Sequence, residues 1–183
     1  DLVCDIVDVI PPDYQLDSFL TLNSFIEYAK LRKMSLTNTS LDFKNKGSNF
    51  EKAKNNNIER ILSIFKENFD NFSERPPNIN EIELAIKNDE IYCKFNSFGD
   101  ILGFYWNRNK KFLSELKYLY VVEKYRGIGI GKELLNEYFV NTAPIKRKQL
   151  WVLENNKSAI SLYKSFGYDF DGLSDYIFIK KIN

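Results

Sequence analysis

Apolar residues recur along this chain with two different periods, and the switches between them divide it into elements. Ile58, Ile61, Leu62, Ile64 and Phe65 fall on one face of a helix, with Asn56 or Asn57 available to cap its start. Pro76-Pro77 breaks the chain, and Asn78 or Asn80 then opens a second short helix carrying Ile82, Leu84, Ala85 and Ile86. Ile91 to Phe95 reads as a strand, Gly99-Asp100 as a turn and Ile101 to Trp106 as the hairpin partner. From Leu113 to Val122, Leu116, Tyr118 and Tyr120 alternate against Lys117, Leu119 and Val121, which predicts a third strand with two distinct faces. A glycine-rich turn leads into a helix over Lys132 to Phe139. Gln149 to Leu153 follows as a short apolar strand and Ser158 to Phe166 as a helix. Tyr168 to Phe170 and Tyr176 to Ile179 are expected to pair as a closing hairpin. Helices interleaved with strands in this order predict an α/β (α+β) fold on a mixed sheet.

The first fifty residues follow a different pattern. Val3 to Ile10 reads as a strand, Tyr14 to Leu22 as a short helix, and Phe25 to Leu36 as two short strand-like pieces. Asn38 to Asn49 is polar and contains Gly47-Ser48, so it reads as a linker, after which Phe50 to Ala53 starts the main domain.

Composition narrows the chemistry. The 183 residues carry 26 basic and 25 acidic side chains, a formal charge of +1, and the densest basic run, Lys146-Arg147-Lys148, reads as a solvated loop. That balance argues against a nucleic-acid partner. With no histidine and two widely separated cysteines, Cys4 and Cys93, the sequence offers no metal-ligating set and no histidine-based triad. Two isolated thiols suit a reducing cytoplasm. No apolar run approaches the ~20 residues that span a bilayer, and no signal peptide is visible.

The most informative segment is Arg126-Gly127-Ile128-Gly129-Ile130-Gly131, lying between a strand and an amphipathic helix. Glycines there permit positive φ angles and let several backbone N–H groups converge on an anion, with Lys132 continuing into the positive end of the helix. A diphosphate is the natural guest. The spacing is neither the G-x-G-x-x-G of a dinucleotide turn nor a P-loop, since no G-K-[ST] closes it.

Leu119 to Gly131 resembles the acetyl-CoA motif of the GNAT superfamily, [RQ]-x-x-G-x-[GA] after an L-x-V strand, with Arg126, Gly129 and Gly131 in the matching positions. Leu150 to Tyr168 is similar to the second motif of that superfamily: Asn156, Ala159, Leu162, Tyr163, Gly167 and Tyr168 fit N-x-x-A-x-x-[LF]-Y and its G-[FY] ending. The resemblance covers roughly Phe50 to Lys180. It implies a mostly antiparallel mixed sheet flanked by helices, with acetyl-CoA as co-substrate. It implies that the strands at Val121 and Trp151 splay apart, leaving Val121 and Val122 to pair with the pantetheine arm, and that one of their amides polarises the thioester carbonyl. Arg126, Gly127, Ile128, Gly129, Ile130, Gly131 and Lys132 would hold the diphosphate. Asn156 reads equally as a plain helix cap or as a pantetheine ligand, and Ala159 would keep the helix surface low where the arm passes.

Tyr163 lies two helical turns beyond Asn156, and in the resembling enzymes a tyrosine here protonates the leaving thiolate. Its ordinary pKa near 10 suits a proton donor. Glu115 is the candidate base, matching loosely a glutamate that several such enzymes carry on this strand. Acceptor contacts are expected from Phe69, Phe72, Tyr105 and Trp106, although aromatic residues at such positions are more often core. Phe19 to Leu31 echoes Leu162 to Tyr168 and the strand after it, as in two-part superfamily members of the dTDP-fucosamine acetyltransferase type. The expected division is therefore an N-terminal extension, 1–48, that is a remnant first half, and an acetyltransferase domain, 49–183. The expected activity is acetyl transfer from acetyl-CoA to a primary amine of an amino sugar, small amine or peptide N-terminus, by a monomer or homodimer. The alternative is a non-catalytic acyl-CoA-binding or regulatory protein.

Overall fold

The computed structural model describes residues 2–7, 14–37 and 50–181. In chain order the elements are β1 (Leu2–Val7), α1 (Tyr14–Leu22), β2 (Ile26–Thr37), β3 (Phe50–Lys52), α2 (Ile58–Asn68), α3 (Ile79–Lys87), β4 (Ile91–Phe95), β5 (Ile101–Lys110), β6 (Leu113–Val121), α4 (Ile130–Asn141), β7 (Arg147–Leu153), α5 (Lys157–Ser165) and β8 (Asp169–Lys181). The expected linker and the boundary at 48/49 lie outside the described residues. The chain forms two compact units. One comprises residues 36–68 and 77–150; the other comprises 1–35, 69–76 and 151–183.

In the 36–68/77–150 unit the strands lie in the order β7-β6-β5-β4-β3, antiparallel except for the parallel pair β6–β7. α2 presents Phe65 to Phe104, Trp106 and Tyr118 at ring separations of 5.5, 6.3 and 4.7 Å. α4 covers the opposite face, where Tyr138 meets Tyr105 at 5.8 Å and donates to Ser114 Oγ at 2.9 Å. Asn78 caps α3 reciprocally with Glu81, a capping box that fixes the helix start just after the proline pair.

β6 departs from simple alternation. Trp106 pairs with Tyr118 but Asn107 pairs with Leu116, so Lys117 is an inserted residue. Such a bulge switches which side chains point where. Ser114, and Leu116 with it by alternation, faces α4, whereas Tyr118 and Tyr120 face the α2 side against Phe65 and Phe104. The expected grouping of Leu116 with Tyr118 and Tyr120 is thus corrected: the bulge puts Glu115 and Lys117 on the same side as the two tyrosines.

The basic run 146–148 is also corrected. β7 begins at Arg147, and Lys148 is buried at 1% exposure. Its ammonium donates to the carbonyls of Thr142 (3.0 Å) and Ile145, just past the end of α4, and lies 5.4 Å from the Phe139 ring centroid. The negative end of a helix and its unsatisfied carbonyls make this a favourable seat for a buried cation.

In the other unit β8 runs between β1 and β2, antiparallel to both. The predicted closing hairpin is instead this one strand, Asp169–Lys181. Gly172, at φ 93, sits where β2 and β8 slip register between Arg32 and Met34, so the glycine bends the strand without reversing it. The two short pieces expected over Phe25 to Leu36 are likewise a single strand, kept whole by pairing along β8. Arg32 stacks on Phe170 at 3.7 Å, and Lys30 pairs with Glu154 at 3.1 Å. Met34 and Ile177 are completely buried. No helix among the described residues is long and apolar enough to cross a membrane.

Candidate functional site

The turn after β6 is built from backbone conformation. Gly127 (φ 79) and Gly129 (φ 96) both adopt left-handed geometry that other residues enter only at a cost. A Cβ placed on either would meet nothing within 4 Å, so strain, and not crowding, is what demands glycine at these two positions. Gly131 lies inside α4 and needs no special φ. Gly129 is the N-cap of α4 and has no side chain with which to cap it. The Ile130 and Gly131 amides of this twelve-residue helix are left to an outside acceptor, at the end where the dipole favours an anion. Lys132 N–H already donates to the Gly129 carbonyl at 3.0 Å, which corrects the expectation of a free amide there. This is an arrangement that fits a diphosphate. Arg126 folds back on the strand: its Nε donates to the Val121 carbonyl at 3.0 Å, and its guanidinium lies 5.7 Å from the Tyr120 ring centroid.

The two valines ahead of the turn differ in what they can offer. Val122 N–H donates to the Leu102 carbonyl at 2.9 Å, and its own carbonyl accepts from Tyr125 N–H at 2.8 Å. The Val122 amide is therefore already engaged, which corrects the expectation of a free group there. Alternation along an antiparallel strand turns the Val121 and Leu119 amides to the other edge of β6. On that edge the parallel ladder with β7 runs from Leu113–Arg147 to Leu116–Leu150, with no β7 partner for residues 117–121 among the described residues. Val121 N–H is the donor that remains. Leu119 N–H joins it, a group that residue identity alone did not signal, because a backbone donor is fixed by strand parity.

A cavity of about 410 Å³ adjoins the turn, lined by Asn56, Asn57, Arg60, Gly99, Asp100, Ile101, Val122, Lys124 and Tyr125. Glu115 faces the α2 side, with its Oε1 accepting from Gln149 Nε2 at 3.4 Å. The proposed acceptor residues Tyr105 and Trp106 are core: both are buried, Tyr105 accepting from Asn141 Nδ2 at 2.7 Å and Trp106 donating to Glu90 Oε2 at 3.0 Å. Cys93 is buried too, and burial pushes its thiol up to about 12, so it packs as an inert apolar group.

The residues of the second motif belong to the other unit. Asn156 is the N-cap of α5, accepting from Ala159 N–H and Ser158 Oγ at 3.1 Å each. Capping is thus its observed task, and the half-buried Ala159 lies in the first turn. Tyr163 is 7% exposed, with its ring set edge-on to Tyr168 at 6.0 Å. Burial raises its phenol pKa further above the ordinary value, so the neutral, proton-donating form is the one present. Phe69 and Phe72 are half-buried, and Phe72 meets Tyr28 at 5.7 Å.

Comparison with known proteins agrees with this arrangement. Residues 86–169 match the model of the acetyltransferase (GNAT) domain. The spermine/spermidine N(1)-acetyltransferase of Bacillus subtilis (strain 168) is 35% identical over 89 residues, a match covering 43% of this chain and 59% of that protein. The chain therefore spans little more than half the length of this curated relative. Among solved structures, a GCN5-related N-acetyltransferase from Sphaerobacter thermophilus superposes with a TM-score of 0.73 at 16% identity, covering 98% of this chain and 59% of that one. A putative GNAT-family acetyltransferase from Novosphingobium aromaticivorans gives a TM-score of 0.69 at 16% identity, covering 100% of this chain and 74% of that one. At such identities the likeness is one of fold. Residues 86–169 thus resemble a GNAT acetyltransferase domain in sequence, and the helix-opening glycine turn and the interrupted β6–β7 ladder lie within that match.

Proposed function

We propose that this chain transfers an acetyl group from acetyl-CoA to a primary amine. One observation carries the reading: the left-handed turn at Gly127 and Gly129 opens onto the side-chain-free N-terminus of α4. In this reading the amides from Gly127 to Gly131 hold the diphosphate. Val121 and Leu119 N–H groups, on the edge that β7 leaves after Leu150, take the pantetheine arm and polarise the thioester carbonyl. Asn156 and Ala159 border the arm.

The amine nitrogen attacks the carbonyl carbon, the C–N bond forms and the C–S bond breaks. Glu115 receives the ammonium proton, directly or through water, and Tyr163 gives its proton to the departing thiolate. The acceptor class is an amino sugar, a small amine or a peptide N-terminus; the name of the Bacillus relative makes polyamines one set of small amines to be tried. Residues 1–48 are read as an extension derived from a first acyltransferase half, a view supported by the pairing of β1 and β2 with β8.

Release of coenzyme A thiol with a panel of amino sugars, polyamines and peptide N-termini tests the function. Turnover with any of them is the expected result. The engaged Val122 amide favours a second reading, a protein that binds acetyl-CoA without using it. Thermal stabilisation by acetyl-CoA with no thiol release across the panel would favour that reading.

A further inference from the structure

The bulge in β6 sets Lys117 and Tyr118 together opposite Trp106, on the α2 side of the sheet. The Lys117 ammonium lies 5.1 Å from the Trp106 ring centroid and 5.6 Å from that of Tyr118. Glu81, Glu90 and Glu115 act on it attractively and Arg108 repulsively. Glu90 is held in place by the 3.0 Å bond it accepts from Trp106 Nε1, and Glu115 by Gln149 Nε2. Lys117 is half-buried, and burial holds its pKa below the usual lysine range, with Arg108 adding to the effect. Two aromatic faces, one with the Glu90 carboxylate bonded to its indole and with Glu115 on the same side of the strand, are the chemistry that recognises an organic ammonium. Here the chain's own ammonium fills it, two residues along the strand from the proposed base.

We infer that Lys117 determines acceptor specificity: its ammonium occupies the cation site beside Glu115, so a second positive charge on the acceptor finds no seat there and monoamines are preferred over diamines. This rests on the reading that Glu115 faces the reacting amine. A diamine that reaches Glu115 with one nitrogen must bring its other nitrogen, still charged, against Lys117 or displace it from the two rings. A monoamine meets no such repulsion. Specificity here comes from a repulsive element built into the site, and removing that element should widen it.

Calorimetric titration of the full chain with 1,4-diaminobutane and with butylamine, each against wild type, Lys117→Met and Lys117→Arg, tests the inference. Lys117→Met keeps the apolar stem and leaves the two rings, with Glu90 bonded to the indole, open to an outside cation. It should bind the diamine about tenfold or more tightly than wild type, with butylamine changed by less than about threefold. Lys117→Arg keeps the charge and should behave as wild type. Should Lys117→Met fail to fold by circular dichroism, Lys117→Gln carries the same expectation. Unchanged diamine affinity in a folded, uncharged variant overturns the inference, as does a wild type that already prefers the diamine. Absence of acetyl transfer to every amine would instead overturn the proposed function, while the calorimetry still decides whether Lys117 excludes a second charge.

Discussion

Gly129 contributes only backbone, and that is why its replacement is informative. Open space surrounds the position of its missing Cβ, so a side chain there is strained by φ 96 and not by a clash. Gly129→Glu should leave the chain folded, at a strain of about 1–2 kcal/mol, and abolish acetyl-CoA binding by putting a carboxylate at the proposed diphosphate site. The stabilisation of the thermal transition by acetyl-CoA reads this directly; an undiminished shift would remove the turn from the site. Tyr163 makes a complementary case. Its hydroxyl is the part the proposed chemistry needs, while its ring packs edge-on to Tyr168. Tyr163→Phe should bind acetyl-CoA as before and lose roughly 10²–10⁴-fold in turnover, the usual span for a lost acid. Equal rates in a stopped assay of thiol release would take the proton-donor role from it. In the sequence the glycine spacing singled out Gly129, and the resemblance of its motif singled out Tyr163. The engagement of Val122 was not legible there, since nothing in a valine says whether its N–H is already bonded to a neighbouring strand.

Elements follow local pattern until pairing overrules it. α1 to α5 all form where helical spacing and caps predict them, because those signals act within one or two turns of chain. The strands diverge in a consistent direction. β2 and β8 are each one continuous strand where two pieces were expected, because ladder hydrogen bonds along a neighbour hold a bulged strand together. Lys148 reads as surface by composition and is buried by the register of β7, with its ammonium on the carbonyls beyond α4. Burial lowers its pKa, so the folded state releases this proton at lower pH than the unfolded chain does. The cost of burying the charge is complete below the folded pKa and is relieved as pH rises through it toward 10.5, so this lysine makes stability increase with pH across that interval. Lys148→Met should destabilise the chain by about 1–3 kcal/mol at neutral pH through two unpaired carbonyls, and flatten that alkaline rise. Urea denaturation across the pH range measures both; a neutral variant as stable as wild type would mean that the carbonyls find water.

At the scale of the whole molecule, the front of the chain and its end make one compact unit, with β8 between β1 and β2. Removing residues 1–49 would strip both neighbours from β8 and open two unpaired edges. Such a truncated chain should aggregate, or lose on the order of 10 °C or more in Tm, by light scattering and calorimetry. An unchanged melting profile would mean that residues 1–48 are dispensable to the rest of the fold. The sequence by itself determined the helices, the α/β class, the glycine turn and the second motif, because each is written in residues close together in the chain, where spacing and side-chain chemistry act directly. Tertiary structure decided what depends on partners distant in sequence: which strands run on unbroken, which face Glu115 and Lys117 occupy after the bulge, which backbone amides are left over for a ligand, and that a lysine lies buried against a helix end. Those outcomes turn on hydrogen-bond register between strands. A shift of one residue there exchanges the two faces of a strand, and no local pattern fixes it.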